Sequence, residues 1–434
     1  MPSISEIANE HRPDLSKYES LYKHFHANPE LSNQEKETAA RCVAELESIS
    51  PDFNIKPSIG GHGLAATLAN GPGPTVLLRA DFDALPIQER TGLPYASTKR
   101  MRDADGAEKP VMHACGHDMH TTCLLGAAET LAASRGEWSG TLVLVFQPAE
   151  ERGTGAQAMV DEGLYDPKRH GVPVPDVVLG AHVMPHRAGV IGTRKGLIMS
   201  AADSMRVTMH GRGGHASMPH RLVDPVVMAA STVMRLQTIV SREVDPYDTA
   251  VVTCASIQAG DAENVVIDDA RLAIDVRTTN PTTRKKTLAS IRRIVAAEAL
   301  AGNAVKDPTF QVTRSFPLTI NDAKITEKLE SSFSAHFPTD RHHYVTSVSQ
   351  LAGSEDFSIL ASAVEKPYSF FVYGGTDPEK WDQAEREDRL MEDVPVNHSG
   401  LFAPVIQPTL KTGLDGYVIA ALTWLVKGSG EIPV

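Results

Sequence analysis

The chain reads GTLVLVFQ at residues 140–147, a mostly apolar run that ends just before a proline. A run of this length, rich in β-branched and aromatic side chains, is typical of a strand buried on both faces. The runs TVLLR (75–79) and VVLGA (177–181) have the same character. Helical periodicity at 15–49 and an apolar helical segment at 121–133 precede and separate these strands. Strands that alternate with helices predict an α/β architecture.

The pattern changes near residue 200, where the segments follow the order strand, helix, strand, strand, helix, strand. These segments are 204–210, 224–240, 249–258, 271–277, 282–300 and 309–312. The order is that of the split ferredoxin-like unit, an α+β fold. We therefore predict an inserted domain at 198–314 within a discontinuous first domain formed by 1–197 and 315–434. Two polar excursions, 99–110 and 377–393, interrupt the first domain.

Composition excludes several classes of protein. A chain of 434 residues is too long for one ordinary core, which favours two domains. The net charge of −12 without a basic stripe argues against nucleic acid as a partner. No apolar run reaches 18 residues, so no membrane span is predicted. Four scattered cysteines build no disulfide framework, and the polar N-terminal stretch lacks a secretory signal; both features predict a cytoplasmic protein.

Residues with metal-binding or catalytic chemistry follow the predicted strands. After TVLLR come Asp81 and Asp83, which can bind a metal, orient a metal ligand or simply cap a turn. The stretch HACGHDMH (113–120) holds three histidines, a thiol and a carboxylate. Cys115 and His117 are two residues apart and can reach one metal from an extended loop. The alternative is a histidine-rich turn that leads into the next helix.

Two adjacent carboxylates, Glu150 and Glu151, follow the strand GTLVLVFQ. One can bind a metal while the other accepts a proton from an activated water, although an exposed acidic loop is the alternative. His182 follows the strand VVLGA, and His398 lies in the stretch VNHSG. A single histidine is more often structural than a ligand. His182 and His398 are nevertheless candidate ligands, because a dinuclear site needs more ligands than the other clusters provide.

The inserted domain contributes His215 in the stretch GGHAS (213–217) and Asn264 in ENVV (263–266). A Gly-Gly-His turn can expose an imidazole toward a neighbouring active site. A hairpin or helix-entry turn with an incidental histidine explains the composition equally well.

Taken together, these motifs resemble the branch of aminoacylases, hippurate hydrolases and auxin-conjugate hydrolases within the carboxypeptidase G-like superfamily. The matching stretches occur in family order and cover nearly the whole chain. They are RADFDALP (79–86), MHACGHDMH (112–120), FQPAEE (146–151), GAHVMP (180–185), GRGGHASMPH (211–220), ENVVID (263–268), SEDF (354–357) and NHSGLFAP (397–404). One departure is the polar segment 98–110, which is longer than expected and can reshape the rim of the pocket that receives the acyl group.

The resemblance implies a zinc-peptidase-like catalytic domain with a mixed sheet flanked by helices, and an inserted lid domain that forms a homodimer. It implies two divalent metal ions, manganese or zinc and sometimes cobalt or nickel. The implied metal ligands are Cys115, His117, Glu151, His182 and His398. The implied catalytic residues are Glu150 as general base, Asp83 as the residue that orients a ligand, and His215, which stabilises the oxyanion. Asn264, Arg277 and His215 are the implied substrate-binding residues.

The activity implied is hydrolysis of the amide bond of a small-molecule N-acyl amino acid. A dipeptidase or carboxypeptidase on the same scaffold is the alternative, because the same ligands serve an amide beside a carboxylate. A non-catalytic binding protein requires a lost ligand or base, and every expected position is filled. A serine hydrolase is disfavoured because no G-x-S-x-G motif is present, and a zincin because no H-E-x-x-H motif is present.

Overall fold

The computed structural model describes residues 2–428 and residue 432. The helices are α1 (Ile4–Glu10), α2 (Leu15–Ala27), α3 (Lys36–Ile49), α4 (His117–Ala133), α5 (Gly155–Asp161), α6 (Pro225–Arg242), α7 (Pro281–Ala301), α8 (Ala323–His336), α9 (Ile359–Ser362), α10 (Pro378–Arg386), α11 (Leu390–Asp393) and α12 (Thr409–Leu425). Within the described residues, none of these helices combines the length and the apolar character needed to cross a membrane.

The strands are β1 (Asn54–Ile59), β2 (Gly63–Asn70), β3 (Thr75–Asp81), β4 (Arg100–Arg102), β5 (Glu108–Pro110), β6 (Gly140–Gln147), β7 (Val177–Arg187), β8 (Ile191–Gly192), β9 (Gly196–Met199), β10 (Ala201–His210), β11 (Gly214–His215), β12 (Ala250–Gln258), β13 (Val265–Val266), β14 (Asp269–Thr278), β15 (Thr309–Phe316), β16 (Thr319–Asn321), β17 (Tyr344–Val345) and β18 (Tyr368–Thr376). Short 3₁₀ turns lie at Glu150–Arg152 and Pro219–Arg221.

The chain divides into two compact units. The first comprises residues 1–198, 320–349 and 356–434. Its main sheet has the order β1-β2-β6-β3-β7-β18-β8-β17. Strands β6, β3, β7 and β18 run parallel, whereas β1 and β2 are antiparallel to their neighbours. The predicted α/β class with a mixed sheet and flanking helices is confirmed.

The parallel strands decide where functional residues gather. In β6 all residues from Leu142 to Gln147 are buried, as expected for a strand covered on both faces. The pairing of Asp81 with Gln147 brings the ends of β3 and β6 level at one edge of the sheet. Residues that follow β3 and β6 therefore meet at that edge.

Helices α4 and α12 pack together in the core beside the sheet. Gly126 lets them approach closely, since a Cβ atom there would lie 2.4 Å from Leu414 Cδ1. Gly116 adopts a left-handed conformation, with φ of 88°, at the point where α4 begins. This glycine turns the loop that carries Cys115 directly into the helix at His117.

One expectation needs correction, and the two polar stretches contain regular secondary structure. The periodic stretch 15–49 is two helices, because the segment 28–35 between α2 and α3 contains Pro29 and leaves the helical path. The polar stretch 377–393 contains the helices α10 and α11, since charged residues favour an exposed helix as readily as a loop. The polar stretch 99–110 contains a hairpin of β4 and β5.

The second unit comprises residues 199–319 and 350–355. Its antiparallel sheet has the order β12-β14-β10-β15, and α6 and α7 contribute to its apolar core. Along the chain these elements follow the order β10-α6-β12-β14-α7-β15. Residues 350–355 join this unit through bonds such as that from the Ser200 N–H to the Gly353 carbonyl, at 3.1 Å. The predicted domain boundary at residue 314 falls inside β15.

Candidate metal centre

Five segments of the first unit converge at the strand-end edge of the sheet. Asp83 follows β3, and Glu150 and Glu151 lie on the 3₁₀ turn that follows β6. His182 lies within β7, and His117 is the first residue of α4. Cys115 precedes α4, and His398 comes from the loop before α12. Apart from His398, these side chains are largely removed from solvent, so each needs a polar or charged partner.

Cys115 and His182 form one side of the centre. The Cys115 Sγ atom lies 3.4 Å from His182 Nε2. The other ring nitrogen of His182, Nδ1, lies 2.7 Å from the carbonyl oxygen of Val183. An imidazole that donates from Nδ1 leaves the lone pair of Nε2 directed at the thiol, which is the arrangement of a metal-binding histidine.

His117 lies at the middle of the centre and is fully buried. Its Nδ1 atom lies 3.2 Å from Asp83 Oδ1, which fixes the ring. Its Nε2 atom lies 3.9 Å from Glu150 Oε2 and 3.9 Å from Glu151 Oε1. Burial lowers the pKa of His117, but Asp81 and Asp83 outweigh that effect and raise it to about 10. The surrounding carboxylates thus favour a positive charge at this position.

His398 and Glu151 form the outer side. The His398 Nε2 atom lies 3.2 Å from Glu151 Oε1, and about half of the imidazole is exposed. His398 adopts a left-handed conformation with φ of 68°. Its backbone N–H donates to the Ala114 carbonyl at 2.8 Å, so the backbone ties this loop to the loop that carries Cys115.

The donor atoms fit divalent cations. Among the described residues, five groups have ligand atoms within 4.8 Å of one another, and three of them consist only of the predicted ligands and base: Cys115, His117 and His182; Cys115, Glu151 and His398; and His117, Glu150 and Glu151. The buried atom His117 Nε2 lacks a hydrogen-bond partner among the described residues, as expected of an atom meant for a cation. Burial, together with Glu151 and Glu150, holds the pKa of Cys115 well above its usual range. A bound cation offsets this cost, and a thiolate disfavours magnesium and calcium.

Around the centre, His120 and Asn397 carry no role in the sequence-based prediction, and Asp81 entered it only as a candidate beside Asp83. The backbone N–H of Val183 donates to His120 Nε2 at 2.8 Å, and His120 Nδ1 lies 2.6 Å from Asp81 Oδ1. Asn397 Nδ2 donates to the Cys115 carbonyl at 3.1 Å. Asp81, His120 and Asn397 all lie inside the quoted motifs, so the sequence already indicated that these positions are near the site. Ser32, whose hydroxyl donates to Asp83 Oδ2 at 2.6 Å, was not indicated by the sequence, because it lies in the stretch predicted to be helical.

Two other residues of the histidine-rich stretch, Asp118 and His113, are also buried. Asp118 Oδ2 lies 2.7 Å from His26 Nδ1, whose other ring nitrogen lies 3.0 Å from Glu89 Oε1. The Asp118 carboxylate therefore bonds to α2 rather than to a predicted metal ligand. Burial lowers the pKa of His113 to about 4, so this ring is neutral.

The remaining predicted residues lie in the second unit. His215 is exposed on β11, with Nδ1 2.8 Å from Ser217 Oγ. Asn264 is exposed just before β13, and its carbonyl accepts the Ala216 N–H at 3.0 Å. Arg277 lies on β14 and donates to Asp275 and to Ser354, each at 3.1 Å. Their roles toward substrate stay predictions.

Known proteins match this chain over most of its length. Residues 77–396 match the model of peptidase family M20/M25/M40. An N-acetyl-L-cysteine deacetylase of Bacillus subtilis is 36% identical over 366 residues, covering 82% of this chain and 80% of the relative. Thermostable carboxypeptidase 2 of Saccharolobus solfataricus is 31% identical over 408 residues, covering 93% and 94%.

A solved structure agrees with these relatives. It is a dinuclear metal-binding peptidase of the M20 family from Bacillus subtilis, with a TM-score of 0.70 and 26% identity. The alignment covers 94% of this chain and 97% of that one. The chain belongs to peptidase family M20/M25/M40.

Proposed function

We propose that this protein is a metal-dependent amidohydrolase that cleaves the amide bond of small-molecule N-acyl amino acids. The observation that carries the proposal is the meeting of His117 Nε2 with both Glu150 and Glu151 at 3.9 Å. His117 and Glu151 offer a pair of donors of the kind that binds a metal, and the Glu150 carboxylate beside them can move a proton. The similarity to an N-acetyl-L-cysteine deacetylase supports this activity.

Five side chains are proposed as the ligands of two divalent cations, manganese or zinc, with cobalt or nickel as further candidates. They are Cys115, His117, Glu151, His182 and His398. When bound, such cations act as Lewis acids that activate water and polarise an amide carbonyl. The arrangement of donors into groups that share Cys115 and His117 supports two ions rather than one.

Glu150 is the proposed general base. Its carboxylate is 5% exposed at the turn after β6, so it faces the centre rather than bulk solvent. Glu150 would take a proton from the attacking water and later deliver it to the leaving amine. Asp83 would hold His117 in one ring orientation through Nδ1.

The second unit would supply the substrate-binding residues. His215 would stabilise the oxyanion, and Asn264 and Arg277 would bind the substrate carboxylate, since they offer donors that suit an anion. Exposed apolar side chains such as Met234 and Val227 on α6 support a homodimer formed through this unit. Four free cysteines support a cytoplasmic location.

A carboxypeptidase or dipeptidase is the second candidate, favoured by the similarity to thermostable carboxypeptidase 2. One experiment separates the two. Chelator-treated protein is assayed with manganese, zinc or no metal on hippurate, N-acetyl-methionine, an indole-acetyl amino acid and a dipeptide. Faster cleavage of an N-acyl amino acid supports the first candidate, and faster cleavage of the dipeptide supports the second.

The variant Glu150→Gln tests the base in the same assay. We expect it to bind metal as the wild type does and to lose activity by about 10²- to 10⁴-fold. Full activity in this variant would remove Glu150 from the mechanism. Protein that binds two metals yet cleaves nothing in the panel would contradict the proposed substrate class.

A further inference from the structure

The segment between α2 and α3 is not helical: it forms a bridge at Leu31 and a turn at residues 32–33, and it lies against the loop that follows β3. Leu31 forms a parallel bridge with Ala84, and the Ala84 N–H donates to the Glu30 carbonyl at 2.8 Å. These backbone bonds bring residues 32–35, here called the clasp, next to the carboxylates of the metal centre. Two side chains of the clasp, Ser32 and Glu35, bond to the loops that follow β3 and β6.

The first side chain is Ser32. Its hydroxyl donates to Asp83 Oδ2 at 2.6 Å. The same oxygen accepts the Glu151 N–H at 3.1 Å, and Asp83 Oδ1 faces His117 Nδ1 at 3.2 Å. Asp83 therefore connects the backbone of one proposed ligand to the ring of another, and Ser32 restricts its rotation.

The second side chain is Glu35, which is fully buried. Its Oε1 atom accepts the N–H groups of Ala149 and Asn33, both at 2.8 Å. Ala149 has φ of 49° and ψ of 36°, a left-handed conformation that is unfavourable for a residue with a Cβ atom. The bond from Glu35 holds this turn, which directs the chain from β6 into Glu150.

We propose that Ser32 and Glu35 are positioning residues: they attach the turn that carries Glu150 and the loop that carries Asp83 to the clasp. The proposal rests on the function proposed above for Glu150, Glu151 and His117. Groups that orient ligands without touching the metal commonly change metal affinity or activity by about 10- to 100-fold when removed. The clasp residues have this position. Ser32 bonds to Asp83, which contacts proposed ligands, and Glu35 bonds to Ala149, the residue before the proposed base Glu150.

The test compares Glu35→Ala, Glu35→Gln and a matched control, Glu30→Gln. Glutamine keeps an oxygen that accepts the Ala149 N–H, whereas alanine leaves that buried N–H without a partner. Burial and the nearby Asp83 raise the pKa of Glu35 to about 8, so a neutral side chain suits the site. Glu30 is also buried, but its carboxylate accepts hydrogen bonds from the N–H and the hydroxyl of Thr38, at 2.8 and 2.9 Å, and not from the turn that carries Glu150.

Manganese and zinc dissociation constants, kcat, KM and Tm are measured for each variant. We expect Glu35→Ala to weaken metal binding and lower kcat by about 10- to 100-fold with little change in KM. Glu35→Gln should restore both quantities. Glu30→Gln should lower Tm alone. If Glu35→Ala does not fold, Ser32→Ala, a smaller change, should weaken metal binding by about tenfold.

Two results would overturn the inference. One is wild-type metal affinity and kcat in Glu35→Ala or in Ser32→Ala. The other is an equal loss in Glu35→Gln and Glu35→Ala, which would show that the charge rather than the hydrogen bond matters. Metal affinity is read without substrate, so a wild type that binds metal but hydrolyses nothing would contradict the proposed function and still test the clasp.

Discussion

His120 and Asp81 form a short hydrogen bond beneath the metal centre, with 2.6 Å between Nδ1 and Oδ1. Since His120 Nε2 accepts the Val183 N–H, the ring proton must lie on Nδ1, where it is donated to Asp81. Burial opposes ionisation of Asp81, but Arg79, at 2.8 Å from Oδ2, and His117 hold its pKa well below the usual range. The pair thereby links the end of β3 to Val183 within β7.

Replacing Asp81 by Asn should destabilise the protein by about 3 kcal/mol or more, because it removes a buried counter-ion of Arg79. Urea unfolding followed by circular dichroism measures this change. Glu108→Gln is the matched control, since Glu108 pairs with Arg100 at the surface and should cost less than about 1 kcal/mol. Equal effects of both substitutions would contradict the structural role of the buried pair.

Replacing Cys115 by Ser should weaken zinc binding by at least about tenfold, because a hydroxyl is a poorer ligand for zinc than a thiolate. Equilibrium titration against a fluorescent chelator measures the affinity. Cys123→Ala serves as control: Cys123 is buried like Cys115, but it contacts Leu410 and Tyr373 in the core. Unchanged zinc affinity in Cys115→Ser would remove this thiol from the ligand set.

Replacing His398 by Ala should reduce the bound metal from two ions to about one per chain. The group of Cys115, Glu151 and the exposed His398 loses a donor, while the buried group of Cys115, His117 and His182 stays complete. Metal content after gel filtration gives the count. His343→Ala changes an exposed histidine paired with Asp340 and should keep both ions. Two ions retained in His398→Ala would contradict the assignment.

The buried carboxylate of Asp415 should make the stability of the protein fall as the pH becomes acidic. Asp415 accepts from Arg12 at 2.8 Å and from Lys411 at 2.9 Å. Burial raises the pKa of Asp415, but His336 and Arg12 outweigh it, so the folded pKa lies below the unfolded value. Its stabilising contribution is therefore complete above about pH 4 and is lost as the pH falls through the folded pKa.

The difference in Tm between wild type and Asp415→Asn, measured at several pH values, checks this sign. The difference should be largest above about pH 4 and shrink in more acidic buffer. Asp393→Asn, an exposed carboxylate paired with Arg389, should show almost no such dependence because solvent screens it. A constant difference for Asp415→Asn across the acid range would refute the linkage.

The clasp side chains contact residues far away in sequence. Ser32 is 51 residues from Asp83, and Glu35 is 114 residues from the backbone N–H it accepts. No periodicity or local motif encodes such pairs, because they exist only once the strands have found their order in the sheet. The helical pattern at 15–49 even concealed them, since the periodicity of α2 and α3 continues across the break at Pro29.

The sequence by itself determined the elements and the ligand types. Apolar runs specify buried strands through the hydrophobic effect, and the spacing of Cys115 and His117 holds two donors on one turn of chain. Only the tertiary structure decided which donors meet. The parallel register of β3, β6 and β7 brings Asp83, Glu151 and His182 to one edge, and the left-handed backbone at Gly116 and Ala149 aims their neighbours inward. Packing over long separations, rather than local propensity, sets those positions.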